Sequence, residues 1–119
     1  MKFVIDRNKW LRGEGAPRSF LLRSDDQKMC CLGIFLKALG ATDESLCNTQ
    51  TPADMPCNRS VIPDWMFRAN TLLHEHPQNA EELYRLMETN DDLNLSDYER
   101  ELAIEQFFVS KGIDVEFVE

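Results

Sequence analysis

The chain has 119 residues, 43% of them apolar, with seven Phe and two Trp: enough to bury one core and too few for two independent ones. Charged residues make up 29% and the net charge is −8, which disfavours a protein that wraps DNA or RNA with its whole surface. No apolar run approaches the roughly 20 residues of a bilayer span, and Met1-Lys2-Phe3-Val4-Ile5-Asp6 lacks the apolar stretch of a signal peptide. The expectation is a single domain over residues 1–119, cytoplasmic, with no membrane partner and no direct nucleic-acid contact.

In chain order, Phe3-Val4-Ile5 reads as a short strand. Asp6 offers an N-cap for a short helix from Arg7 to Arg12 that Gly13 ends, and Gly13 to Pro17 is a loop. Ser19 to Arg23 is a second strand candidate, followed by a Ser24-Asp25-Asp26 turn. Lys28 to Leu39 is the clearest element. It is apolar nearly all round, ends at Gly40 and belongs at the centre of the core. Gly33 inside it is unfavourable for a helix by about 1 kcal/mol relative to Ala, so close approach of another backbone is the expected reason for it.

Residues 41–77 are irregular by pattern, with short helix starts at Thr42-Asp43-Glu44-Ser45 and Thr51-Pro52-Ala53-Asp54. Trp65, Met66 and Phe67 should lay an apolar cover over the core. Asn79 caps a helix over Ala80 to Thr89, with Ala80, Leu83, Leu86 and Met87 facing inward, and Asn90 to Asn94 makes a loop. Ser96 and Glu99 form a capping box. The helix they start runs to about Lys111, buries Leu102, Ile104, Phe107 and Phe108 at least in part, and stops at Gly112. Ile113, Val115 and Phe117 then alternate with polar residues as a half-exposed strand. The expected fold is α+β: a small three-stranded sheet on a buried central helix, with two acidic C-terminal helices.

Side chains with chemistry are sparse. Cys30 and Cys31 are adjacent, form no Cys-x-x-Cys pair, and read as small core hydrophobes. A reactive thiol near a helix start is the alternative, which would make the protein a Cys-dependent enzyme. His74 and His76 flank Glu75 without a further ligand at metal-binding spacing, and the Asn90–Asn94 segment lacks the Gly and closing Glu of a calcium loop. No metal, cofactor or catalytic group is expected. Asn90 and Asp91 carry groups that donate to or accept from a ligand.

Two charged groupings remain. Residues 1–23 carry six basic and two acidic side chains, whereas residues 61–119 carry four basic and fourteen acidic ones. Internal pairing accounts for such polarity, and so does an exposed face that meets a partner. Arg12, Arg18 and Arg23 beside Trp10 would suit a nucleotide-like anion. Glu81, Glu82, Glu88, Asp91, Asp92, Glu99, Glu101 and Glu105 would form an acidic face able to occupy a basic nucleic-acid channel on a partner protein.

The run Trp10-Leu11-Arg12-Gly13, then Met29-Cys30-Cys31-Leu32-Gly33, then Leu86 to Asn90-Asp91, then Gly112-Ile113-Asp114-Val115-Glu116-Phe117 resembles small accessory proteins of bacteriophages, prophages and plasmids. The resemblance implies no catalytic residue. It implies a mobile-element setting, in which small acidic proteins inhibit host defence machinery, as anti-CRISPR proteins do, or sequester nucleotide signals.

Overall fold

Strand β1 (Lys2–Asp6) and strand β2 (Asp114–Val118) lie side by side and parallel, with Lys2 opposite Asp114 and Asp6 opposite Val118. Parallel neighbours cannot be joined by a tight turn, so everything between them is one long crossover. Phe3, Ile5 and Val115 turn inward. The computed structural model describes residues 1–63, 65, 66 and 77–119, less the side chains of 53, 59 and 77–81. Phe67, His74, His76 and the Glu81 side chain thus lie outside the described residues.

The four helices among these residues are α1 (Cys31–Ala38), α2 (Asp43–Leu46), α3 (Pro77–Asp91) and α4 (Asp97–Ser110). Together with the sheet they make an α+β fold. Helix α1 is the inner element, with Cys31 through Leu36 all buried. Its Phe35 ring meets Phe3 of β1 at 5.2 Å and Phe108 of α4 at 5.1 Å, and Phe3 meets Phe108 at 4.8 Å. This triangle of rings joins sheet, central helix and C-terminal helix at the separations that edge-on aromatic pairs favour. Trp65 covers Phe35 and Phe107 from outside, and Met66 is fully buried.

Local signals are met where expected. Thr42 accepts from the Ser45 amide, and Ser96 and Glu99 satisfy each other's backbone amides. Gly40 follows α1 with φ +112°, a conformation that a side chain resists. Gly33 sits against residue 21: a Cβ built there would lie 1.8 Å from the Leu21 carbonyl oxygen. That contact is the reason for a glycine inside the most buried helix.

Other expectations are corrected. The three-stranded sheet has two strands among the described residues, because Ser19–Arg23 is not a strand. Its amides disperse to three partners, Leu21 to the Thr49 carbonyl, Leu22 to Leu46 and Arg23 to Lys28, so no single neighbour pairs with it beyond one bridge, Leu22 with Cys47. Arg7–Arg12 is not a helix either. β1 continues through Asp6 into a turn, and Trp10 bridges Met29 instead. That bridge holds Met29 extended, so α1 begins at Cys31 rather than Lys28. Helix α3 starts at Pro77, before Asn79, and runs on through Asn90 and Asp91, so these two belong to the helix and not to the 90–94 loop. Leu102 is exposed on α4.

Replacing Gly33 by Ala drives a methyl group into the Leu21 carbonyl and is expected to destabilise the protein by about 3 kcal/mol or more. A urea unfolding curve checks this; an unchanged midpoint would show that the 21–33 contact is not tight.

Candidate functional site

The site is assembled around one buried amide. Leu83, Leu86 and Asn90 fall on the inward face of α3, and Asn90 is 1% exposed. Its Oδ1 accepts from the Trp10 indole at 2.9 Å and from the Cys31 amide at 3.2 Å. Its Nδ2 donates to the Leu11 carbonyl at 3.0 Å and to Asp91 Oδ1 at 2.9 Å. All four hydrogen-bonding positions of the side-chain amide are filled.

The 10–18 loop completes the walls. Gly13 and Gly15 have positive φ, and their amides cap the last carbonyls of α3, Asn90 and Asp91, each at 2.9 Å. Arg23 is buried and anchors the loop through Glu14, Asp26 and the Arg18 carbonyl, with its closest contact to Asp26 at 2.6 Å. The hydrogen bond from Arg23 pulls the Asp26 carboxyl down to about 2 and lowers that of Glu14.

Between the start of α1 and the end of α3 this leaves a cavity of about 330 Å³. Leu32, Met87, Ala16 and Pro17 supply apolar wall, Cys30 and Cys31 also line it, and Ser19, Gln50, Thr51 and Asp91 add polar side chains. Burial pushes the Cys30 thiol up to about 12, outweighing the Gly33 and Leu32 amides that favour its thiolate at the N-cap position of α1, where it makes no side-chain cap hydrogen bond. Burial likewise raises Cys31 well above the ordinary range, with the charges of Cys30 and Asp91 adding to it. Both thiols are protonated at neutral pH.

Ala16, Met87 and Asp91 also line a wider surface groove of about 620 Å³, bounded by Tyr84, Glu88, Asp92 and Leu93. Tyr84 is 46% exposed and Leu93 70%, so apolar surface lies open among carboxylates.

The sequence-derived groupings divide differently. Trp10 and Arg12 do meet, with the guanidinium 4.6 Å from the ring centroid, in a polar basin of about 460 Å³ that Arg7, Lys28 and Arg100 also line. Arg18 and Arg23 are not part of it; both pair with Glu14. The basin's guanidinium groups are already engaged. Arg7 grips Glu101 through two bonds of 2.8 Å, and Arg12 and Arg100 share Asp97. Buried Arg100 also donates to the Thr89 carbonyl near the end of α3 and to the Asp92 and Leu95 carbonyls beyond it. On the acidic side, Glu82 binds Lys111, Glu99 closes the capping box and Glu101 holds Arg7. Glu88, Asp91, Asp92 and Glu105 form no ion pair among the described residues, and the first three of these gather at the groove.

Ala16, Tyr84, Met87 and Leu93 were not recognisable in advance as site residues. For Asn90 a signal existed: it continues the 83–86 spacing, which places a polar amide on an apolar face. Among the described residues no group of three His, Cys, Asp or Glu side chains is placed to hold a metal ion, and no helix is long and apolar enough to cross a membrane. Comparison with protein-family models, with curated proteins and with solved structures returned no match for this chain.

Asn90→Ala strips partners from the Trp10 indole, the Cys31 amide and the Leu11 carbonyl at once, and is expected to destabilise the fold by about 3–5 kcal/mol. Chemical denaturation followed by tryptophan fluorescence measures it. For the thiols, an aromatic disulfide reagent at about pH 8 should modify exposed Cys47 and Cys57 rapidly and reach Cys30 and Cys31 only after unfolding. Rapid reaction of a third thiol in the folded protein would contradict the burial described.

Proposed function

We propose that the protein is a non-enzymatic accessory protein of phage type that binds and inhibits a host protein, such as a component of a defence system, in the host cytoplasm. Its contact surface is the acidic groove along the end of α3. The partner presents a basic surface of the kind that binds nucleic acid, and the groove competes for that surface.

The observation that carries this reading is the groove itself. Tyr84 and Leu93 are open apolar side chains, and Glu88, Asp91 and Asp92 surround them without cationic partners among the described residues. Aromatic and aliphatic anchors ringed by charge are how a specific interface combines affinity with steering. The other acidic residues of the C-terminal half support it less: Glu82, Glu99 and Glu101 already have partners within the chain. The reading as a Cys-dependent enzyme finds no support in the thiols, which lack the depressed pKa a nucleophile needs.

The partner is obtained by affinity capture from the bacterial host, identified by mass spectrometry, and then titrated against the purified protein. Binding is expected to weaken by about tenfold or more in the double variant Glu88→Gln, Asp92→Asn. It should also weaken between about 0.05 and 0.5 M salt, where the Debye length falls to about 4 Å, and added nucleic acid should compete. A partner whose affinity ignores both the substitutions and the salt would remove the acidic groove from the interface.

A further inference from the structure

The cavity beneath the groove has its own chemistry. It lies between two helix ends of opposite polarity, the start of α1 and the end of α3, and these do not weigh equally on an occupant. At the α1 terminus Asn90 Oδ1 takes the Cys31 amide, while the Leu32 and Gly33 amides lie near the Cys30 sulfur without a side-chain cap hydrogen bond. The Asn90 amide has no vacant position left to offer. Among the described lining residues the one charged side chain is Asp91, beside the neutral Ser19, Gln50 and Thr51; its carboxylate accepts one hydrogen bond, from Asn90, and has no cation partner among the described residues. The contrast with Asp26 and Asp97, each held by an arginine, is plain.

We propose that this cavity is a binding site for a compact organic cation: an apolar body of ring size bearing an amine or amidine that pairs with Asp91. The apolar body fills the space between Leu32, Met87 and the protonated thiols. At about 330 Å³ the cavity is at the lower end of the range for small-molecule pockets. An anion is disfavoured, because it meets the Asp91 charge and finds no cationic side chain among the described lining residues to offset it. A neutral polar ligand can donate to the Asp91 carboxylate but lacks the opposite charge and the two-pronged donor that an amidine adds. The inference stands on the cavity and does not rest on the host-protein reading. A ligand seated there would nonetheless touch Ala16, Met87 and Asp91, which the groove shares.

The test uses three probes of one shape on the full chain: benzamidine, benzamide and benzoate. Amide shifts of Cys30–Gly33 and Met87–Asp91 are followed in nitrogen–proton correlation spectra. Benzamidine should shift these amides saturably, at least about fivefold more tightly than benzamide, with benzoate weakest. In Asp91→Asn the preference for benzamidine over benzamide should fall below about twofold. Ala16→Trp, a substitution at an exposed residue of the cavity mouth, should abolish binding of all three. Equal binding of benzoate, a retained preference in Asp91→Asn, or no saturable shift with any probe would each overturn the assignment.

Discussion

Asn90 is the constraint on which the rest of the structure depends. A primary amide removed from water is costly unless its donors and acceptors are all met, and here they are met from three segments. Trp10 and Leu11 bring the N-terminal loop, Cys31 brings the head of the central helix, and Asp91 ties the amide to its own helix end. Polar groups satisfied in this way specify a single arrangement, since any shift of α3 against α1 breaks several bonds together. The amide also sets the spacing of the two helix ends. The space left beside it, closed by the glycine-containing loop, is the cavity.

Electrostatics is mostly consumed in holding the molecule together. The basic N-terminal segment and the acidic C-terminal half meet as Arg7 with Glu101 and Arg12 with Asp97. Arg100, itself in the acidic half, turns inward to the loop carbonyls after α3. Exposed pairs of this kind each contribute little, but the bidentate Arg7–Glu101 contact and the buried Arg100 fix where α4 lies. What is left for an outside partner is a short list of carboxylates at one place, the groove beside Tyr84 and Leu93. A charge asymmetry spread over half the chain thus resolves into a local feature.

The thiols show how one environment can reverse the effect of another. A cysteine at a helix N-cap with amides pointing at its sulfur has the setting of an activated nucleophile. Complete burial in an apolar wall acts in the opposite direction and dominates, so Cys30 and Cys31 remain neutral. Their part is to shape a cavity without charging it. That leaves Asp91 as the charge the pocket presents.

Much of the fold was legible in residue order because its causes are local. The caps at Thr42 and Ser96 and the stop at Gly40 depend on groups within a few residues of one another. The tight contact at Gly33 was legible as a need for space, although Leu21 was not legible as its neighbour. The parallel pairing of the chain's two ends, the dispersal of the expected third strand and the meeting of Asn90 with Trp10 and Cys31 were decided only in three dimensions. The Asn90 contacts join residues 59 and 80 positions apart, and the strand pairing joins the two ends of the chain. Helical and strand periodicity reports which side of an element is apolar, but not which distant element will cover it. A cavity is the volume that several such elements fail to fill, so no single stretch of sequence carries its signature.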